Sequence, residues 1–187
     1  LTLPKDFSAS KISDGIGRIR HLVVTPQGAI YAKTSKLYKG NGNLKMTDQN
    51  GDGKIDNVEG FGDFSGTGIA IKDGYLYTSS EEEVFRYKLN AKNEVIDTAH
   101  PEKIITGLMR DKQHDTKSIV LDNAGNIYVN IGAPSNSCQE VDRGSGSKGK
   151  MPCPLLDKAG GIWMFRADKL NQGYAEGVRY ATGLRNV

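Results

Sequence analysis

An all-β fold assembled from a repeated unit is what this sequence predicts. Three observations carry that expectation. A hairpin-like pattern recurs along the chain, glycine is abundant at 23 of 187 residues, and no segment sustains an apolar period of 3.6 residues. Many short strands joined by tight turns need glycine, because it takes positive φ without steric cost.

The repeat sets the elements in order. Its first copy reads Leu22-Val23-Val24-Thr25-Pro26-Gln27-Gly28-Ala29-Ile30-Tyr31. The second is Ile69-Ala70-Ile71-Lys72-Asp73-Gly74-Tyr75-Leu76-Tyr77, and the third runs from Ile119-Val120-Leu121 through Gly125 to Ile127-Tyr128. Each copy places apolar or β-branched runs on both sides of a Gly/Asn/Asp turn, the pattern of a hairpin. The tyrosines lie 46 residues apart (31 to 77) and then 51 (77 to 128). A third strand is expected after each hairpin, over 35–39, 84–89 and 161–166. Gly60-Phe61, Gly107-Leu108 and Gly183-Leu184 close the three units. The last interval is the longer one, which puts an insertion at about 134–158, where Ser, Gly, Lys and Pro dominate.

Four strands in roughly 40–50 residues is the period of a β-propeller blade. The expected organisation is therefore three four-stranded antiparallel blades, at about 8–64, 65–113 and 114–187. Three blades do not close a ring, so the chain is expected to supply half of a six-bladed propeller and to require the remaining blades as its partner. A small three-unit β-sandwich is the competing architecture.

Composition narrows the function. Hydrophobic residues make up 37% and charged residues 25%, which describes a folded chain rather than a disordered one. The net charge is +3 with both signs interspersed, so no basic patch points to nucleic acid. No apolar run approaches the ~18 residues of a membrane-spanning helix. The chain opens at Leu1 without a charged leader, so it is expected to be a mature or trimmed product. Cys138 and Cys153 are the two cysteines, with no histidine or third cysteine close enough to complete a zinc site. A disulfide is the favoured reading over a metal site or free thiols, and it implies a periplasmic or secreted protein.

The sharpest local motif runs from Asp48 to Glu59. Oxygen side chains occupy positions 1, 3, 5, 9 and 12 of this twelve-residue stretch, with glycine at 6 and an aliphatic at 8. Ca²⁺ takes six to eight hard oxygen ligands, and such spacing wraps a loop around one ion. Asp48, Asn50, Asp52, Asp56 and Glu59 would offer side chains, and Lys54 its carbonyl. The flanks are glycine-rich rather than helical, so a loop between the third and fourth strands of the first blade is expected, with a structural role for the ion. An acidic turn without metal is the plainer alternative.

Of three histidines, His21 and His114 each precede or open a first strand and could face a common channel. His100 falls in a turn and is expected to be solvated. Trp163 and Phe165 follow a strand pattern and are expected in the core. Taken alone, His114 and the Arg185-Asn186 pair could equally be surface residues.

Placed in order, these segments resemble the soluble glucose/sorbosone dehydrogenases, six-bladed propellers that use pyrroloquinoline quinone (PQQ). His114 leading into Asn130-Ile131-Gly132 is similar to their catalytic-histidine segment. Ala181-Thr182-Gly183-Leu184-Arg185-Asn186 resembles their Gly-Leu-Arg-Asn signature. Leu3-Pro4-Lys5-Asp6-Phe7, Arg20-His21-Leu22, the Asp/Asn/Gly loop and Ser135-Asn136-Ser137-Cys138 are similar to the sorbosone-type branch. The resemblance implies oxidation of a sugar, or a related alcohol or aldehyde, by hydride transfer to PQQ, with an external electron acceptor. His114 would be the base, Arg185 would stabilise negative charge on the quinone and bind it, and Asn186 would hydrogen-bond the cofactor. The family's remaining cofactor ligands, and the carbonyls that hold the cofactor's own Ca²⁺, have no counterpart here, so this chain by itself is expected to bind the quinone weakly. Two other classes compete: a Ca²⁺-dependent propeller lactonase resembling gluconolactonase, and a non-catalytic extracellular propeller that binds carbohydrate or protein.

Overall fold

A computed structural model, described here for residues 2–111 and 113–187, contains three sheets in series. The first sheet consists of β1 (Ile19–Val24), β2 (Ile30–Tyr38), β3 (Asn41–Thr47) and β4 (Asn57–Phe61), in that order and all antiparallel. The second holds β5 (Ile69–Lys72), β6 (Tyr75–Ser79), β7 (Val84–Lys88) and β8 (Glu102–Thr106). The third is ordered β13-β11-β10-β9 and comprises β9 (Ile119–Leu121), β10 (Asn126–Ile131), β11 (Gly161–Arg166) and β13 (Val178–Thr182). Among the described residues the only helical turns are two short 3₁₀ segments, Pro154–Asp157 and Tyr174–Glu176.

The three predicted hairpins form β1–β2, β5–β6 and β9–β10, closing on the pairs Val24↔Ile30, Lys72↔Tyr75 and Leu121↔Ile127. Their turns share one solution: Gly28, Gly74 and Gly125 have φ of 86°, 78° and 79°, a region that costs any residue with a Cβ. In the third turn Asp122 also accepts from the backbone N–H groups of Ala124 and Asn126. Those bonds, with the Asn126 side chain foremost, pull its carboxyl down to about 2.

Two expectations need correction. The second sheet has five strands, because β12 (Gln172–Gly173), which lies within the third repeat, pairs parallel with β8 at Gln172↔Ile105. The Gln172 side chain, 3% exposed, donates to the Ile104 carbonyl of β8 at 3.4 Å and to the carbonyls of Arg166 and Lys169 on its own side. Residues 35–39 are not a third strand. The β2 strand continues through Tyr38, and the chain reverses at Lys39 and Gly40, both at positive φ, so that 41–47 becomes the third strand.

The first strands lie side by side, β1 against β5 and β5 against β9, with later strands fanning outward. This serial arrangement differs from a two-sheet sandwich. Between the first two sheets, Tyr31 and Phe61 pack with Ile69, Leu76, Tyr87 and Leu89. Between the second and third, Tyr77, Val84, Ile104 and Ile105 meet Ile127, Val129, Trp163 and Phe165. Trp163 and Phe165 are thus core residues, and fully burying such a side chain stabilises by ~1.5–3 kcal/mol. The other face of the third sheet carries Val120, Tyr128, Met164, Val178 and Tyr180, aligned by the register Tyr128↔Val120, Tyr128↔Met164 and Met164↔Val178. Val120, Val178 and Tyr180 are exposed there at 62%, 59% and 65%.

Candidate functional site

His114 and Arg185, 71 residues apart in sequence, meet beyond the ends of β10 and β13. The His114 Nδ1 lies 2.7 Å from the Ala133 carbonyl. A carbonyl only accepts, so Nδ1 carries the proton and Nε2 keeps its lone pair. An Arg185 Nη1–H donates to that Nε2 at 3.0 Å and another to Asn136 Oδ1 at 2.7 Å. Backbone bonds join the same pieces, since the Ala133 N–H donates to the Arg185 carbonyl at 2.7 Å.

This contact depends on local backbone geometry. His114 has φ of 55°, an uncommon conformation for a residue with a Cβ. Gly132 makes room for it: a Cβ at 132 would lie 2.1 Å from the His114 carbonyl oxygen. Asn186 joins through a second set of bonds, with its Nδ2 donating to Thr116 Oγ1 at 3.1 Å and Asn130 Nδ2 donating to its Oδ1. Asn130 is 3% exposed, and its Oδ1 has no hydrogen-bond partner among the described residues. Beside Arg185 opens a pocket of ≈ 230 Å³, walled by Asn136, Ser137, the Cys138–Cys153 disulfide, Leu155 and Leu184.

The acidic stretch forms a separate loop between β3 and β4. Asp48 accepts from the N–H groups of Gly51 and Gly53, Asn50 from that of Asp52, and Asp52 from that of Lys54. Asp56 accepts from the backbone of Gln49 and Asn50. The Gly53 N–H leads the contacts that lower the Asp48 carboxyl below its ordinary range. Glu59 stands apart on β4, opposite Lys45, and its carboxylate accepts from Asn57 at 2.7 Å. Among the described residues, no three His, Cys, Asp or Glu side chains are grouped as a metal site. The loop's exposed oxygens suit a hard cation in chemistry, while Glu59 is turned to a partner of its own.

The other histidines separate. His21 lies within β1 and is exposed. His100 bonds Asp97 at 2.8 Å with 84% of its side chain exposed, as a solvated turn residue would. Cys138 and Cys153 are joined, as the sequence favoured.

The TrAA12-like family profile matches residues 1–187. The chain belongs to the TrAA12-like family. Among solved structures, an iodide structure of Trichoderma reesei Carbohydrate-Active Enzymes Family AA12 superposes with a TM-score of 0.71 at 18% identity, over 93% of this chain and 42% of that one. The holo form of the pyranose dehydrogenase PQQ domain from Coprinopsis cinerea gives 0.65 at 14% identity, over 89% and 39%. A PQQ-bound aldose sugar dehydrogenase from Streptomyces coelicolor gives 0.50 at 16% identity, over 85% and 47%. This chain therefore spans less than half the length of each. No curated protein sequence matches it.

Within this TrAA12-like chain, sequence reading pointed to His114, Arg185 and Asn186, and the fold brings all three into one cluster. It gave no role to Thr116, Asn130, Ala133 or Asn136, which hold the cluster. Asn130 and Asn136 lie in segments that carry the resemblance, yet the role of all four emerges only from the hydrogen-bond pattern. Arg185 keeps N–H groups free to donate to a carbonyl or carboxylate oxygen, whereas His114 Nε2 and the buried Asn130 Oδ1 are acceptors, so the site fits a ligand that carries oxygen acceptors and a hydroxyl donor.

Proposed function

We propose that this chain forms part of a secreted or periplasmic PQQ-dependent oxidoreductase that oxidises a sugar or a related alcohol or aldehyde. The observation that carries this reading is the state of His114, whose Nδ1–H is committed to a carbonyl while the lone pair of Nε2 accepts from the Arg185 cation. Once Arg185 turns that N–H to the cofactor, a positioned imidazole of this kind would take the proton of a substrate hydroxyl at Nε2. Arg185 supplies fixed positive charge next to the same point, where charge would develop on the acceptor. Asn186, held by Thr116 and Asn130, would hydrogen-bond the cofactor. Bound PQQ would supply the hydride acceptor, and an external electron acceptor would complete turnover.

On this reading the chain comprises three blades, at about 8–64, 65–113 and 114–187, of a six-bladed ring. The outward apolar face of the third sheet, with Val120, Tyr128 and Tyr180, is where a following blade would pack. Ca²⁺ is proposed as a second cofactor of the complete protein. The loop of Asp48, Asn50, Asp52 and Asp56, with the Lys54 carbonyl, is a proposed structural Ca²⁺ site, and Glu59 would have to leave Asn57 to join it. The substrate is proposed to be an aldose, of glucose or sorbosone type.

The test is reconstitution of the full-length protein with Ca²⁺ and PQQ, followed by aldose-dependent dye reduction. Reduction that disappears in His114→Ala supports the assignment. Quinone uptake with activity unchanged in His114→Ala would remove the base, and no quinone uptake would remove the reading altogether.

A further inference from the structure

The insertion at 134–158 has no part in the sheets, yet its bonds converge on the catalytic pair. Arg185 is exposed and follows the last strand, a setting in which a long side chain ordinarily samples many rotamers. Here its Nη1 is held from two sides, by His114 Nε2 at 3.0 Å and by Asn136 Oδ1 at 2.7 Å. Asn136 is itself fixed, because its backbone N–H donates to Asp142 Oδ1 at 3.0 Å. The other oxygen of Asp142 accepts from Gln113 Nε2 at 2.7 Å, and Gln113 immediately precedes His114. Arg143 closes the contact by donating from Nη2 to Gln113 Oε1 at 2.8 Å. A ring of side-chain and backbone links therefore runs from Gln113 through Asp142, the Asn136 backbone N–H and side chain, and Arg185 back to His114.

We propose that the disulfide-bridged insertion is a positioning device for the His114–Arg185 pair, with Asn136 as the positioning residue that orients Arg185. The insertion is built to hold shape. Cys138 and Cys153 join its base, and the Cys138 N–H is capped by Ser135 Oγ at 2.9 Å, with Ser135 only 7% exposed. Cross-links run along it, from the Lys150 N–H to the Cys138 carbonyl and from the Glu140 N–H to the Lys148 carbonyl. The Gln113 bond is the leading cause that keeps the Asp142 carboxyl below its ordinary range, so this acceptor stays charged. A loop that served only as surface cover would not need the acceptors of Asn136 and Asp142, both exposed residues, aimed at side chains on two other segments. The geometry stands on its own, and its consequence for turnover rests on the dehydrogenase reading above.

The experiment compares Asn136→Ala, Asn136→Asp and Gln113→Ala in the full-length protein. The readouts are ¹⁵N NMR of the Arg185 guanidinium and hydrogen exchange over residues 113–116. Removing a bond to a charged group should speed exchange there by about tenfold and average the Arg185 signals in Asn136→Ala, while Asn136→Asp keeps an acceptor and restores both. Gln113→Ala breaks the ring on its far side and should loosen residues 134–142 in the same way. In the reconstituted enzyme, Asn136→Ala should lower kcat with little change in KM. Unchanged Arg185 signals and exchange in Asn136→Ala would overturn the proposal, as would equal loss in the Ala and Asp variants. Loss of Arg185 order in a protein that shows no quinone-dependent turnover would support the positioning and sink the dehydrogenase reading alone.

Discussion

Replacing Gly132 by alanine should unseat His114 and cost about 2–4 kcal/mol of stability. The magnitude follows from one contact. A Cβ at 132 would sit 2.1 Å from the His114 carbonyl oxygen and 2.7 Å from its Cβ, whereas ordinary contact begins at 3.4 Å. One of the two segments must move by the difference, 3.4 − 2.1 = 1.3 Å. Both are backbone, so no rotamer change absorbs the shift. Overpacking of this kind costs ~1–3 kcal/mol, and the 2.7 Å bond from His114 Nδ1 to Ala133, lost with it, contributes ~1 more. Urea unfolding measures the effect as a lower midpoint at unchanged slope. Gly149→Ala is the control: nothing lies within 4 Å of a Cβ there, and it should stay within about 0.5 kcal/mol of the parent. Equal midpoints for Gly132→Ala and the parent, with the His114 ring signals in place, would refute the steric argument.

Two further outcomes test the scaffold. Lys33 is fully buried, donates to Asn43 Oδ1 at 2.9 Å and to the Phe64 carbonyl at 2.7 Å, and burial pushes its ammonium down to about 6. The unfolded chain then binds more protons than the folded one between about 6 and the ordinary 10.5, so stability should rise with pH across that window. Lys33→Met should flatten the rise, and an identical slope in urea melts at several pH values would contradict it. Cys138→Ser with Cys153→Ser opens a loop of 15-residue separation, which should lower stability by ~3 kcal/mol. Denaturation with and without reductant should reproduce the loss in the parent and show none in the double variant.

Local chemistry made much of the fold legible. Alternating apolar runs around Gly28, Gly74 and Gly125 encode three hairpins within a few residues of chain, and the structure has all three. What was misread depends on information outside the window. Ser35 to Lys39 reads as a separate strand in pattern, and only the reversal at Lys39-Gly40 shows that its residues through Tyr38 prolong β2. The parallel pairing of Gln172 with Ile105 joins residues 67 positions apart and leaves no periodic trace. The site was legible only through segments in a familiar order. Nothing in the spacing of His114 and Arg185 brings them within 3.0 Å, and the role of Asn136 emerges only when the insertion folds back.

The two-residue β12 strand has a mechanical meaning. The chain leaves the third sheet after β11, binds the outer edge of the second at Gln172 and Gly173, and returns to finish the third with β13. The two sheets are thereby stitched together. Peeling β13 away draws directly on the clasp at β8, so tension applied at the C-terminal end is shared across both units. The second and third units should rupture under load as one event, and the first, joined to the second by packing and side-chain bonds such as Lys45–Glu94 and Thr78–Asn43 but by no shared strand among the described residues, as another.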